Sequence, residues 1–90
     1  MTRFRFAVSV MPKDGILDPQ GRAVEGSLGH LGVDNVSAVR VGRRVELSVD
    51  APNATEARAT VERLAQELFA NPLIESWSIA DMAAAEPVAA

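Results

Sequence analysis

From Arg3 to Val10 the chain alternates strictly. Phe4, Phe6, Val8 and Val10 fall on one side of an extended backbone, and Arg3, Arg5, Ala7 and Ser9 fall on the other. Period two with one apolar face predicts a half-buried strand. Such a strand needs neighbours for its backbone groups and a layer over its apolar face. Pro12 ends it, Lys13-Asp14-Gly15 is turn chemistry, and Ile16-Leu17 is a short apolar hook before the next element.

Asp18-Pro19 opens a helix. The aspartate caps the first turn, and proline at the first helical position has no N–H to leave unpaired. Val24, Leu28 and Leu31 share one helical face, and Gly32 is a natural stop. Gly21, Gly26 and Gly29 weaken this helix by about 1 kcal/mol each relative to alanine. It must be held by tertiary packing. The glycines either permit a close backbone approach or are simply tolerated.

Val36 to Val41 is rich in β-formers, and Val45, Leu47 and Val49 alternate again, with Gly42-Arg43 between them as a tight hairpin. Pro52-Asn53 ends the second arm. Asn53 followed by Glu56 resembles a capping box. Ala57, Val61, Leu64, Ala65 and Leu68 make the stripe of a second helix, with Glu56, Arg58, Glu62, Arg63, Gln66 and Glu67 on its other faces. Asn71-Pro72 stops it. Leu73, Glu75, Trp77 and Ile79 alternate with Ile74, Ser76 and Ser78 in a last strand, apolar on both sides at its start.

The expected fold is therefore α+β: a two-layer sandwich in the order β-α-β-β-α-β, with two helices on one face of a mostly antiparallel four-stranded sheet. One domain is expected over residues 1–81, followed by a flexible alanine-rich tail over 82–90. The uncovered sheet face is left to solvent or to a partner. Ile74 and Trp77 are candidates for an oligomer interface; for Trp77 the core is the other reading.

Composition removes several functions. The 90 residues contain no Cys, which excludes disulfides, thiolate metal sites and cysteine nucleophiles. The single histidine, His30, cannot build a metal cluster, and no serine has a local partner to activate it. The glycines do not form a phosphate loop. No catalytic, cofactor-binding or metal-ligating residue is expected. A net charge of -3 argues against nucleic acid as a partner. Phe4 and Phe6 belong to the core face, not to a base-stacking platform. No apolar run approaches the roughly 20 residues of a membrane span, and the N-terminus does not read as a signal peptide. A cytoplasmic location is expected. Arg3 and Arg5, then Arg40, Arg43 and Arg44, are local basic clusters. They form either a solvated edge and turn or a contact with an acidic partner.

Two segments resemble a known family. Val10-Met11-Pro12-Lys13-Asp14-Gly15-Ile16-Leu17-Asp18-Pro19-Gln20-Gly21 is similar to the opening of the PurS family, and Ala70-Asn71-Pro72-Leu73-Ile74-Glu75 to that family's entry into its last strand. Leu31-Gly32, Val39-Arg40-Val41-Gly42 and Glu46-Leu47 stand between them in the expected order. The resemblance covers residues 4 to 80. It implies an accessory subunit of phosphoribosylformylglycinamidine (FGAM) synthase. That enzyme uses ATP and glutamine-derived ammonia to convert formylglycinamide ribonucleotide to the amidine in purine biosynthesis. The implied partners are a second copy of the chain, as a homodimer or tetramer, a large synthetase subunit and a glutaminase subunit. The chemistry is placed on those other subunits, so no cofactor is implied here.

The loop from Lys13 to Gly21 is the longest polar, non-periodic stretch of the domain. Lys13, Asp14, Asp18 and Gln20 are its candidates for the partner contact; the plainer reading is a connection from strand to helix, with Asp18 a cap. Two other functions fit the element order. A small-molecule-sensing regulatory domain would show a melting shift with an amino acid. An acylphosphatase-like enzyme would need an arginine in the first loop, where Met11 to Leu17 offers only Lys13.

Overall fold

The computed structural model describes residues 1–87. Strand β1 (Thr2–Pro12) is followed by helix α1 (Pro19–Leu28), which tightens into one 3-10 turn, Gly29–Leu31. Strand β2 (Arg43–Ala51), helix α2 (Ala54–Leu64) with a π-helical turn at Ala65–Phe69, and strand β3 (Glu75–Pro87) are the other elements of the described residues. The sheet has the order β2-β1-β3, and both pairings are antiparallel.

β1 is central because it can be paired on both edges and buried on one face without leaving a polar side chain dry. Phe4 lies opposite Val49, Phe6 opposite Leu47 and Val8 opposite Val45 on one side. Val8 lies opposite Ile79 and Val10 opposite Trp77 on the other. These side chains make the core face. α2 lies across its β1–β2 half, setting Ala57, Val61 and Ala65 against Phe6, Val8 and Val10. The alanines at 57 and 65 keep that helix close to the strands. Its start is capped as the sequence predicts: the Asn53 side chain accepts from Glu56 N–H at 2.9 Å.

Three expectations are corrected. The sheet has three strands among the described residues, not four: Val36 to Val41 pairs with no strand, and no hairpin forms at Gly42-Arg43. Two backbone N–H groups of that segment are taken by the carboxylates of Asp18, which caps α1, and of Glu25 within it, and Ala38 adopts φ 57°, which breaks the extended course. Only α2 lies on the core face; α1 makes at most glancing contact with the strands, and Val24 and Leu31 are exposed. Finally, β3 begins at Glu75, since Leu73 and Ile74 form a turn in which Asn71 C=O accepts from Ile74 and Glu75 N–H. It runs on to Pro87, into the stretch expected as a tail, because the long β1 offers it a partner edge as far as Thr2. The pairing shifts register around Arg5. Residues 88–90 of that tail lie outside the described residues.

Candidate functional site

One end of the sheet gathers three stretches: the loop after β1, the segment 38–43, and the turn 71–75 before β3. They are far apart in sequence and bonded to each other in the fold. Lys13 N–H donates to Ile74 C=O at 2.8 Å. The Lys13 ammonium donates to Pro72 C=O at 2.7 Å. Arg43 forks onto Glu75, with N···O distances of 2.7 and 3.0 Å, and also donates to Phe69 C=O. A bidentate guanidinium–carboxylate pair fixes orientation as well as charge. The same Glu75 carboxylate accepts from Asn71 N–H at 2.7 Å. The Arg43 guanidinium first, and that N–H second, hold the Glu75 carboxyl below its ordinary value.

Asp18 does more than cap a helix. One carboxylate oxygen accepts from Gly21 N–H at 3.0 Å, and the other accepts from Val41 N–H at 2.8 Å. Two turns further along α1, Glu25 accepts from Val39 N–H at 2.9 Å. Residues 39 and 41 present their N–H groups on the same edge of an extended chain. The two carboxylates therefore stand where a neighbouring strand would have offered carbonyls. This is the physical reason that a β-rich segment does not join the sheet. Gly21 completes the mount. A Cβ there would run into Val39 C=O and the Asp18 carboxylate, so the helix can approach only as glycine.

The donors from Gly21 and Val41, in that order, hold the Asp18 carboxyl below its ordinary value. Its contribution to stability is complete at neutral pH and is lost as pH falls through that lowered value. Asp18→Ala removes a cap and a clamp together. Its melting temperature is expected to fall further than that of Asn53→Ala, which removes a cap alone at about 1 kcal/mol. Equal shifts in calorimetry would show that the Val41 bond contributes nothing.

The loop frames two shallow grooves. The first, about 500 Å³, lies among Lys13, Asp14, Arg22, Glu25 and Arg40. The second, about 430 Å³, lies among Pro12, Gln20, Val41 and Ile74. Ile16, Leu17 and Asp18 form the ridge between them. Leu17 is 66% exposed and Ile74 43%. The fold thus brings Lys13, Asp14, Asp18, Gln20 and Ile74 to one surface. Trp77 stands apart from them, half-buried against the core. Asp14 reaches into solvent with only Arg40 near it, at 3.3 Å. The arginine clusters have acidic neighbours of their own: Arg3 with Asp50, Arg43 with Glu75, Arg44 with Glu46. With Arg40 beside Asp14, four of the five clustered arginines stand next to a carboxylate.

Glu25 carries part of this arrangement without having stood out in the sequence, and Arg43, Asn71 and Glu75, named there as a basic cluster, a helix stop and a family segment, were not among the site candidates. For Glu25 a signal existed: it falls two helical turns after Asp18, on the same face as Gly21. The Arg43–Glu75 pair had none, since it joins separate strands. Among the described residues no three His, Asp or Glu side chains gather to hold a metal ion. No helix among them is long and apolar enough to cross a membrane.

Residues 5–82 match the family described as PurS, phosphoribosylformylglycinamidine (FGAM) synthase. The chain is 44% identical over 75 residues to the phosphoribosylformylglycinamidine synthase subunit PurS of Mycobacterium leprae, covering 83% of this chain and 91% of that protein. Its fold is similar to a chain of PurLQS from Thermotoga maritima, with TM-score 0.83 and 29% identity over 91% of this chain and all of that one. It is also similar to Thermus thermophilus PurS, with TM-score 0.74 and 38% identity over 97% and 99% of the two chains.

Proposed function

The chain belongs to the PurS family, and from that membership we propose that it acts as the small accessory subunit of FGAM synthase in purine biosynthesis. It assembles with itself, with the large synthetase subunit and with the glutaminase subunit, and joins the two for ammonia transfer. The observation that carries this reading is the likeness, over nearly the whole chain, to a chain of the PurLQS assembly. A cytoplasmic site of action accords with it.

Within that role, the loop from Lys13 to Gly21 meets the large subunit. Two features support this. Its apolar ridge, Ile16 and Leu17, faces solvent. It is also rigidly mounted, by Lys13 on the turn before β3 and by Asp18 on the 38–42 segment. Exposed groups on a fixed frame bind without an ordering cost. Lys13 itself is a poor probe, because its ammonium holds Pro72 in place. Asp14 is a better one, with its side chain fully exposed.

Asp14→Lys is expected to leave folding unchanged, as surface substitutions usually do. It is expected to raise severalfold the concentration of this chain needed to saturate glutamine-dependent FGAM synthesis by the reconstituted complex. A titration curve superimposable on that of the unsubstituted chain, for both Asp14→Lys and Leu17→Glu, would place the contact elsewhere. Failure of the unsubstituted chain to support that activity at all would remove the subunit reading itself.

A further inference from the structure

We propose that Arg43 is a positioning residue for the partner loop: through Glu75 and the turn at 71–75 it sets where the Ile16–Leu17 ridge stands, and so how tightly the large subunit is bound. This inference rests on the loop contact proposed above and deepens it, by naming the group that holds the loop in its binding position.

The ridge has no core to hold it. Leu17 is 66% exposed and Ile16 39%, and Gly15 before them turns the chain at φ 80°. Its place is set at its two ends. Downstream, Asp18 accepts from Val41 N–H, which ties the loop to the segment leading into β2. Upstream, Lys13 gives its N–H to Ile74 C=O and its ammonium to Pro72 C=O, both on the turn before β3. These two anchors lead into opposite edges of the sheet, because β1 lies between β2 and β3. Arg43 lies opposite Val10 and Glu75 opposite Pro12, so their backbones are two strand spacings apart, about 10 Å. The long side chain of Arg43 crosses that span. Among the described residues it is the one side chain that bonds the 38–43 segment to the 69–75 stretch, through Glu75 and Phe69 C=O.

The fork then acts on the turn itself. One Glu75 oxygen accepts from both Arg43, at 3.0 Å, and Asn71 N–H, at 2.7 Å. Asn71 in its turn accepts the N–H groups of Ile74 and Glu75 on its C=O and that of Leu73 on its side chain. The turn is closed on Asn71, and Glu75, with its side chain only 15% exposed, closes Asn71 on Arg43. The two carbonyls offered to Lys13 belong to this turn. Without the fork the carboxylate has no fixed orientation, and Pro72 and Ile74 C=O move with the turn. The ridge must then be ordered when the large subunit binds, which lowers affinity.

Lysine cannot take this place. An ammonium carries the same charge at a point and lacks the planar fork. Arg43→Lys therefore separates position from charge. It is expected to speed hydrogen exchange severalfold at Lys13 and Ile16 N–H and to leave Val8 N–H unchanged. It is also expected to raise the concentration of this chain that half-saturates glutamine-dependent FGAM synthesis by the reconstituted complex. The rise should be roughly two- to tenfold, the range set by ordering one more group on binding. Asn53→Ala is the control, since Asn53 caps α2 at the other end of the sheet, beyond Ala51. It should move neither the loop exchange nor the half-saturation.

An unchanged half-saturation for Arg43→Lys, where Leu17→Glu raises it, would overturn the positioning role and leave the loop contact standing. A raised half-saturation with unchanged exchange at Lys13 and Ile16 would make Arg43 a contact residue instead. An equal rise in Asn53→Ala would make lost stability the cause. Either result overturns the positioning role. A titration moved by neither Leu17→Glu nor Arg43→Lys would remove the loop contact and the positioning role with it.

Discussion

Phe6→Ala is expected to remove about 3–5 kcal/mol of stability, enough to unfold much of the population at 37 °C. Phe6 is 3% exposed, in the middle of the central strand, opposite Leu47. The fully packed core is small: among the described residues, and besides alanines, it consists of Phe6, Val8, Val10 and Val61. A domain of 90 residues typically has about 5–13 kcal/mol in total, so one large deletion takes a large fraction of it. The neighbours cannot collapse into the hole, because β1 is bonded to strands on both sides. Phe6→Leu, which keeps most of the volume, should lose less than about 1.5 kcal/mol. Urea denaturation measures both, with an unchanged m-value as the sign that only stability moved. A loss below about 1 kcal/mol for Phe6→Ala would mean that α2 does not seal this face.

The second large effect reverses the sign that helix propensity gives. Gly21 and Gly26 both lie inside α1, and alanine at either should favour the helix by about 1 kcal/mol. At Gly26 a Cβ meets nothing within 4 Å, so Gly26→Ala should be stabilising by up to that amount. At Gly21 the Cβ collides with the backbone carbonyl of Val39, a residue held by the bond from its own N–H to Glu25 and by the bond from Val41 N–H to Asp18. A carbonyl held in that way cannot give way as a flexible side chain would. Overpacking of roughly 1–3 kcal/mol outweighs the propensity gain, and α1 separates from the 38–42 segment. Hydrogen exchange should then accelerate at Val39 and Val41 N–H in Gly21→Ala and stay unchanged in Gly26→Ala. If both variants were stabilised alike, the close approach of α1 would be wrong, and with it the account of the missing strand.

Several elements were legible because their cause is local. The alternation from Phe4 to Val10 is β1, the Asp18-Pro19 start and the Gly32 stop bound α1, and Asn53 caps α2. Each depends on residues within a few positions of one another, where period, φ restriction and side-chain capping act. The motif segments were legible as a resemblance, and the fold shows that they meet: Lys13 on Pro72, Asp18 on Val41. That they meet was not readable. Periodicity says which face of an element is apolar and nothing about what covers it.

By itself, then, the sequence determined the strands and helices of a small α+β domain, the absence of cysteine, and membership of a family. The tertiary structure alone decided two things. The first is the fate of residues 36–42, whose three valines read locally as a strand. They are withheld from the sheet because acceptors 14 and 23 residues earlier, Glu25 and Asp18, take the Val39 and Val41 N–H groups. The second is the reach of β3, whose alanines are poor strand formers. They are drawn into the sheet as far as Pro87 because β1, eleven residues long, has an edge to fill. A backbone donor goes to whichever acceptor the folded chain brings to it, and that choice is made across the fold, where no window of sequence can read it.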